Sequence, residues 1–169
     1  NAYVQPVVDR YFRSMERDLR EIGISTPVMV MQSNGGMMPM ETARTFPVHI
    51  IESGPAAGVT GVYHLAQRLG IEDAISLDIG GTTAKAALIE NGEIARSPEY
   101  EVGGGVSIGH SLMKGGGYLL RVPSVDLAEV GAGGGSIALA DAAGALKVGP
   151  KSAGADPGPA CYDRGGQMP

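Results

Sequence analysis

AISLDIGGTTAKAALIENGE, residues 74–93, reads as a strand, a tight glycine turn, a second strand and a second turn. Ile75, Leu77 and Ile79 are apolar, with Asp78 between the last two. Gly80, Gly81, Thr82 and Thr83 follow, and an apolar run over 84–89 ends in Asn91-Gly92, a strong hairpin-turn pair. Paired glycines let a backbone approach an anion closely and present its N–H groups, and adjacent threonine hydroxyls can donate to phosphate oxygens. A carboxylate at the end of the first strand is placed to hold a magnesium ion, usually through water. Two readings fit these residues: a β-hairpin wrapped around a nucleotide phosphate tail, and a plain glycine hairpin carrying a surface aspartate.

Composition narrows the classes around this stretch. The chain has 169 residues, enough to bury a genuine core as one domain, or one domain plus a subdomain. A net charge of −5 argues against nucleic acid and against an anionic membrane surface as partners. No apolar run reaches the length of a membrane span. The 27 glycines, most of them after Gly80, point to a second half of loops and short strands. One cysteine, Cys161, excludes an internal disulfide and fits a reducing cytoplasm. Asn1 falls inside an apparent helix and Met168-Pro169 come after a glycine pair, so the expectation is a piece of a longer protein.

Toward the N-terminus, Val4, Val8, Tyr11, Met15, Leu19 and Ile22 recur at helical spacing, with Gly23 as a stop. Residues 27–31 read as a short covered strand, 33–36 as a turn, 41–44 as one helical turn and 48–51 as a second buried strand. Met29, Met31, Met37, Met38 and Met40 are core filler on this reading. Ser53 is expected to cap a helix that has Pro55 in its first turn and ends at Gly70. A strand, a Ser53-Gly54 turn and a helix N-terminus make a second candidate anion site; a simple capped helix packed through small residues fits equally.

Beyond the hairpin, 99–102 reads as a strand, and Gly103–Gly105 and Gly115–Gly117 bracket a segment that holds His110. Residues 131–136 read as a flexible turn, followed by a hairpin over 137–139 and 145–148. The tail from Gly149 to Pro159 is turn chemistry throughout, ordered only where it packs on something. The glycines at 131–135 lack a following helix, which disfavours a dinucleotide fold. Cys161 reads as a structural thiol in preference to a nucleophile, and His49 as a core histidine. His64 lies on a helix, and His110 is the histidine to test for chemistry. The three do not form metal-ligand spacing. Asp126 and Glu129 read as surface or turn residues in preference to an acid/base pair.

Five stretches carry a family resemblance: 31–36 (MQSNGG), 53–58 (SGPAAG), 78–83 (DIGGTT), 130–137 (VGAGGGSI) and 152–162 (SAGADPGPACY). Together they resemble the hydantoinase A/oxoprolinase family over essentially the whole chain. The resemblance implies an α/β fold: a lobe similar to actin-like ATPases (ribonuclease H-like), with a mixed sheet and a glycine-rich β/loop extension. Residues 1–98 would form the lobe segment with the phosphate hairpin, and 99–169 the glycine-rich part of the same domain. In that architecture two lobes close on ATP, and the Asp78 hairpin would be the second of two. Where many relatives carry Ser/Thr-Thr-Asp, Ala84-Lys85 follow Thr83 here, so Lys85 stands in place of a carboxylate.

The implied chemistry is ATP-dependent opening of cyclic amides such as hydantoins and 5-oxoproline, with relatives that carboxylate ketones, through phosphorylation of a carbonyl oxygen. By the same resemblance Asp78 would act catalytically by holding Mg2+ indirectly. Gly80, Gly81, Thr82 and Thr83 would donate to the β- and γ-phosphates of ATP, with Ser53 and Gly54 secondary. A B-type partner subunit is implied, and the isolated segment is expected to be inactive. The rival expectation is a structural domain whose glycine-rich half docks that partner.

Overall fold

The computed structural model describes residues 1–102 and 117–167; Gly103–Gly105 and His110 lie outside them. Helix α1 spans Gln5–Glu21, with Pro6 in the first turn, where its missing N–H is harmless. Gly23, at φ +85°, stops it, and Ile24 N donates back to Leu19 O at 2.9 Å. The buried seam runs through Val8, Phe12 and Met15 and not through Tyr11, which is exposed. A bulky ring one position along thus sets the helix phase.

Strands β1 (Met29–Met31) and β2 (Met37–Pro39) form a hairpin across Ser33–Gly36, and helix α2 (Met40–Thr45) follows. β1 pairs with β2 alone among the described strands, and only Val30 of it packs on a core cluster, so it is a part-exposed strand of a hairpin and not the expected strand inside a covered sheet. Met38, Met40 and Ala43 close with Phe12 into one apolar cluster, which confirms two of the methionines as core filler. Met29 and Met37 are exposed instead. Arg44 Nε donates to Asp9 at 2.7 Å and ties α2 to α1.

Residues 48–51 are not a strand. Pro47–Ile50 form a 3-10 turn, and the only fully buried residue there is Pro47. Proline at the head of the segment lacks a ladder donor and suits a helical first turn. Helix α3 runs Ser53–Leu69 and ends at Gly70, whose φ of +69° supplies the left-handed stop.

β3 (Ala74–Ile79) and β4 (Ala84–Glu90) are antiparallel neighbours in full register, from Ala74 opposite Ile89 to Ile79 opposite Ala84. The turn between β4 and β5 (Glu93–Ile94) places Asn91 and Gly92 both at positive φ, as its sequence demands. Short strands β6 (Arg96–Ser97), β7 (Tyr100–Val102), β8 (Tyr118–Leu120), β9 (Ser124–Val125) and β10 (Ala128–Val130) follow. A hairpin of β11 (Ser136–Ala140) and β12 (Leu146–Ser152) comes last. β10 pairs with β4, giving the order β10-β4-β3, with β5 also on β4. The architecture is α/β, and every described strand pair is antiparallel. The parallel component of a mixed sheet is not among the described residues.

The main core lies between α3 and this sheet: Ala56 and Val59 pack on Ala87, Ile89, Ile94, Val125 and Leu127. α3 covers one face only. On the other, Ile75, Leu77 and Ile79 remain 69%, 64% and 59% exposed, beside exposed Leu88 and Val130. Strand alternation makes the outcome all-or-none: with Ser76 turned to the helix, its apolar neighbours must turn away.

Candidate functional site

The turn of the β3–β4 hairpin is built from backbone. Gly80 N donates to Thr83 O at 2.9 Å, closing a loop just past Asp78. A second turn lies directly on it. Gly134 N donates to Gly80 O at 2.9 Å and Gly135 N to Gly81 O at 2.7 Å. A Cβ on Gly133 would stand 2.5 Å from Gly80 O and 2.7 Å from Thr83 N, so only glycine fits this seam. The segment read as a flexible turn is therefore clasped to the hairpin, and Ser136 Oγ accepts from Gly133 N at 2.8 Å to hold its shape.

The tail adds a third layer. Ala153 N and Ser152 Oγ both donate to Gly135 O, at 2.7 and 3.1 Å. Tyr162 reaches back so that its hydroxyl lies 3.5 Å from where a Gly81 Cβ would sit and 3.6 Å from that of Gly134. The stretches DIGGTT, GAGGGS and SAGADPGPACY, separated in sequence, thus meet at one place.

The clasp also sets where the hairpin's donors point. A trans peptide directs its C=O and N–H to opposite sides. With the carbonyls of Gly80 and Gly81 turned to Gly134 and Gly135, the N–H groups of Gly81 and Thr82 face the other way. No described residue accepts from either. Two successive outward N–H groups can both donate to one anion. The Gly80 N–H, by contrast, is committed to Thr83 O.

Asp78 is exposed and stands opposite Lys85 on β4, which stands opposite Glu129 on β10. Cross-strand partners share a face, so these three form a row beneath the turn. Lys85 Nζ lies 2.6 Å from Glu52 and 3.7 Å from Glu129. Burial alone would lower the Lys85 pKa, but the hydrogen bond and charge of Glu52, with Glu129 behind it, raise it above the usual lysine value. Tyr100 is pushed up too, first by burial and then by the charges of Glu52 and Glu129. Among the described residues no group of three His, Cys, Asp or Glu side chains could hold a metal.

Ser53 and Gly54 open α3, but Ser53 is not the cap. Glu52 occupies the N-cap position, and its N–H donates to Ser33 Oγ at 3.2 Å, while Ser33 Oγ donates to His49 O at 2.9 Å. Ser53 sits one residue too far into the helix. The Glu52–Lys85 pair joins this helix start to the strand just after the glycine turn. Sequence reading missed Glu52, Ser33 and Tyr100, since each acts through a partner at least 16 residues away.

Glu129 of the Asp126–Glu129 pair turns to Lys85, and Asp126 N donates to Ala95 O. His49 is only part-buried, edge-on to Phe46, because its segment is a turn and not a core strand. His64 is exposed against Tyr63. Cys161 is exposed beside Tyr162, outside any core cluster, so it does not pack as a buried structural thiol. Among the described residues no helix is long and apolar enough to cross a membrane.

The family model described as hydantoinase/oxoprolinase matches residues 1–169. An uncharacterised protein of Methanocaldococcus jannaschii is 48% identical over 169 residues, which is 100% of this chain and 25% of that protein. Caprolactamase subunit alpha of Pseudomonas jessenii is 38% identical over 100% of this chain and 22% of its own length. The crystal structure of the ATP-dependent caprolactamase from Pseudomonas jessenii superposes with a TM-score of 0.67 at 36% identity, covering 100% of this chain and 23% of that one. The chain therefore spans about a quarter of the length of these relatives. With its family model matched from end to end, the chain belongs to the hydantoinase/oxoprolinase family.

Proposed function

We propose that the protein containing this segment is an ATP-dependent hydrolase of cyclic amides, in which the Asp78 hairpin grips the phosphate tail of ATP within an actin-like lobe. The observation that carries this reading is the glycine clasp, which turns the Gly81 and Thr82 N–H groups outward beside the Thr82 and Thr83 side chains and Asp78. Caprolactam is a cyclic amide, and the relative that hydrolyses it is ATP-dependent by name, which supports the same class of substrate here.

An amide carbonyl is a poor electrophile, and transfer of a phosphoryl group to its oxygen turns that oxygen into a leaving group. The segment's part is to position the phosphates and stabilise their charge, the main demand of phosphoryl transfer. Gly81 and Thr82 donate through backbone N–H and Thr82 and Thr83 through hydroxyls; Gly80 fixes the turn; Ser53 and Gly54 support from the helix start. The lone exposed carboxylate of Asp78 suits a magnesium ion borne mainly by phosphates and water, where that ion would neutralise charge. The cytoplasm supplies ATP and suits a chain with one exposed thiol.

A second reading makes the segment an assembly domain for a B-type partner subunit, favoured by the bare apolar row Ile75, Leu77 and Ile79. The two separate in the full-length protein with its partner present. Asp78→Asn is expected to keep the fold and lose roughly a hundredfold in ATP-dependent turnover, about 3 kcal/mol of transition-state stabilisation. Asp126→Asn should do much less. Steady-state ATP hydrolysis and thermal melts measure both. A folded Asp78→Asn enzyme at wild-type rate would leave the assembly reading standing.

A further inference from the structure

Lys85 has a choice of partners. Gly80 and Thr83 are hydrogen-bonded across the turn, so by antiparallel alternation Asp78 and Lys85, two residues further along each strand, form a bonded pair as well, directly opposite and on one face. An aspartate and a lysine so placed ordinarily attract each other across the strands. Here the ammonium turns away. Lys85 Nζ lies 2.6 Å from Glu52 and 3.7 Å from Glu129, whereas Asp78 is exposed and forms no ion pair among the described residues.

Both glutamates are set to draw it off. Glu52 occupies the N-cap of α3 without its carboxylate bonding to the helix N–H groups, and its own N–H is fixed on Ser33 Oγ. Glu129 stands opposite Lys85 on the other side, from β10. Two carboxylates on one lysine exceed what charge balance needs. Holding them half-buried also costs desolvation that a pair with exposed Asp78 would avoid. The arrangement has a use where Asp78 must stay free.

We infer that Glu52 and Glu129 are positioning residues that sequester the Lys85 ammonium, so that the carboxylate of Asp78 directly opposite stays open to a divalent cation. The inference rests on the reading of Asp78 as the carboxylate for magnesium and deepens it. An ammonium on Asp78 would occupy its oxygens and repel a cation. Drawn back, it leaves one positive charge against three negative ones, with Asp78 at the solvent side.

The test uses the full-length protein with its partner. Glu52→Gln/Glu129→Gln keeps the side-chain shapes and frees Lys85. It is expected to raise the magnesium concentration for half-maximal ATP hydrolysis about fivefold, the equivalent of one cross-strand ion pair that the metal must displace, and to change this midpoint more than kcat. Adding Lys85→Met should restore the midpoint, because no ammonium is left to misplace. A plain structural brace gives no such rescue. Melts without metal or nucleotide supply a readout apart from activity. The melting shifts of Asp78→Asn and Lys85→Met should add in the wild-type background and fail to add in the Glu52→Gln/Glu129→Gln background, where the two side chains pair. Should that double variant not fold, Lys85→Met alone decides: a magnesium midpoint at or below that of the wild type supports sequestration, and a raised one overturns it. An unrestored midpoint in the triple variant, or additive shifts in both backgrounds, would overturn the inference and leave the Asp78 reading intact. If Asp78→Asn turns over at the wild-type rate, the magnesium reading fails and this inference with it, even where the melts show Lys85 held back.

Discussion

The α1–α2 portion and the glycine clasp are stabilised in opposite ways. In the first, Phe12, Met38, Met40 and Ala43 interlock as side chains, and the backbone is held by ordinary helix and hairpin hydrogen bonds. In the second, peptide lies on peptide: Gly133 against Gly80 and Thr83, and Gly135 against Gly81 and Ser152. The side-chain core tolerates changes of shape and suffers when atoms are removed. The clasp has almost no side-chain atoms to lose and suffers when atoms are added. Packing by removal of side chains also leaves polar backbone at the surface, which is what an anion requires and what an apolar core cannot offer.

The largest effect on stability is expected on the core side. Phe12→Ala deletes a buried ring and should cost about 3–5 kcal/mol in denaturant unfolding of the full-length protein, with nucleotide affinity per folded molecule unchanged. A loss of ATP binding at full folding would break the separation between the two regions.

Gly133→Ala is the reciprocal experiment. The new methyl meets backbone atoms of Gly80, Thr82 and Thr83, none of which can rotate away. The expected cost is about 1–3 kcal/mol of overpacking, but the hairpin must shift, so ATP binding should fall by more than the loss in stability predicts. Titration and melts on one sample measure both.

Lys85→Met sharpens the link between the regions. It leaves Glu52 and Glu129 without their cation, and solvent at the pair (side chains 16% and 15% exposed for Lys85 and Glu52) limits the cost to about 1.5 kcal/mol. The sign with pH follows from the raised pKa values of Lys85 and Tyr100. A group whose pKa is higher folded than unfolded gives its full stabilisation below the unfolded value and loses it as pH rises. Stability should therefore decline above about pH 10, and Lys85→Met or Tyr100→Phe should flatten that alkaline limb in melts across pH.

Gly61→Ala carries the smallest effect and the opposite sign. Gly61 lies inside α3 with nothing within 4 Å of a new methyl, so alanine should stabilise by roughly 0.5–1 kcal/mol through helix propensity. The same substitution at 61 and 133 thus tests whether glycine serves as a weak helix former in one place and as a contact in the other. Destabilisation at both would mean that another part of the full-length protein packs on α3.

Local chemistry alone determined much of this protein. The β3–β4 hairpin, the Asn91-Gly92 turn that follows it, α1, α3 and their glycine stops follow from short-range periodicity and from φ values that glycine and asparagine adopt readily. Asp78 and the glycine-threonine turn were legible for the same reason, since the motif is contiguous. Tertiary structure decided what depends on partners distant in the chain. An apolar run such as VHII suits a strand or a turn, and Pro47 and its packing made it a 3-10 turn. The phase of β3, with Ser76 inward and Ile75 and Leu77 outward, was fixed by which face met α3. The clasp itself was invisible in sequence, because glycine advertises the absence of a side chain and not the backbone that will lie against it; only the fold brought Gly133, Gly135 and Tyr162 onto Gly80 and Gly81.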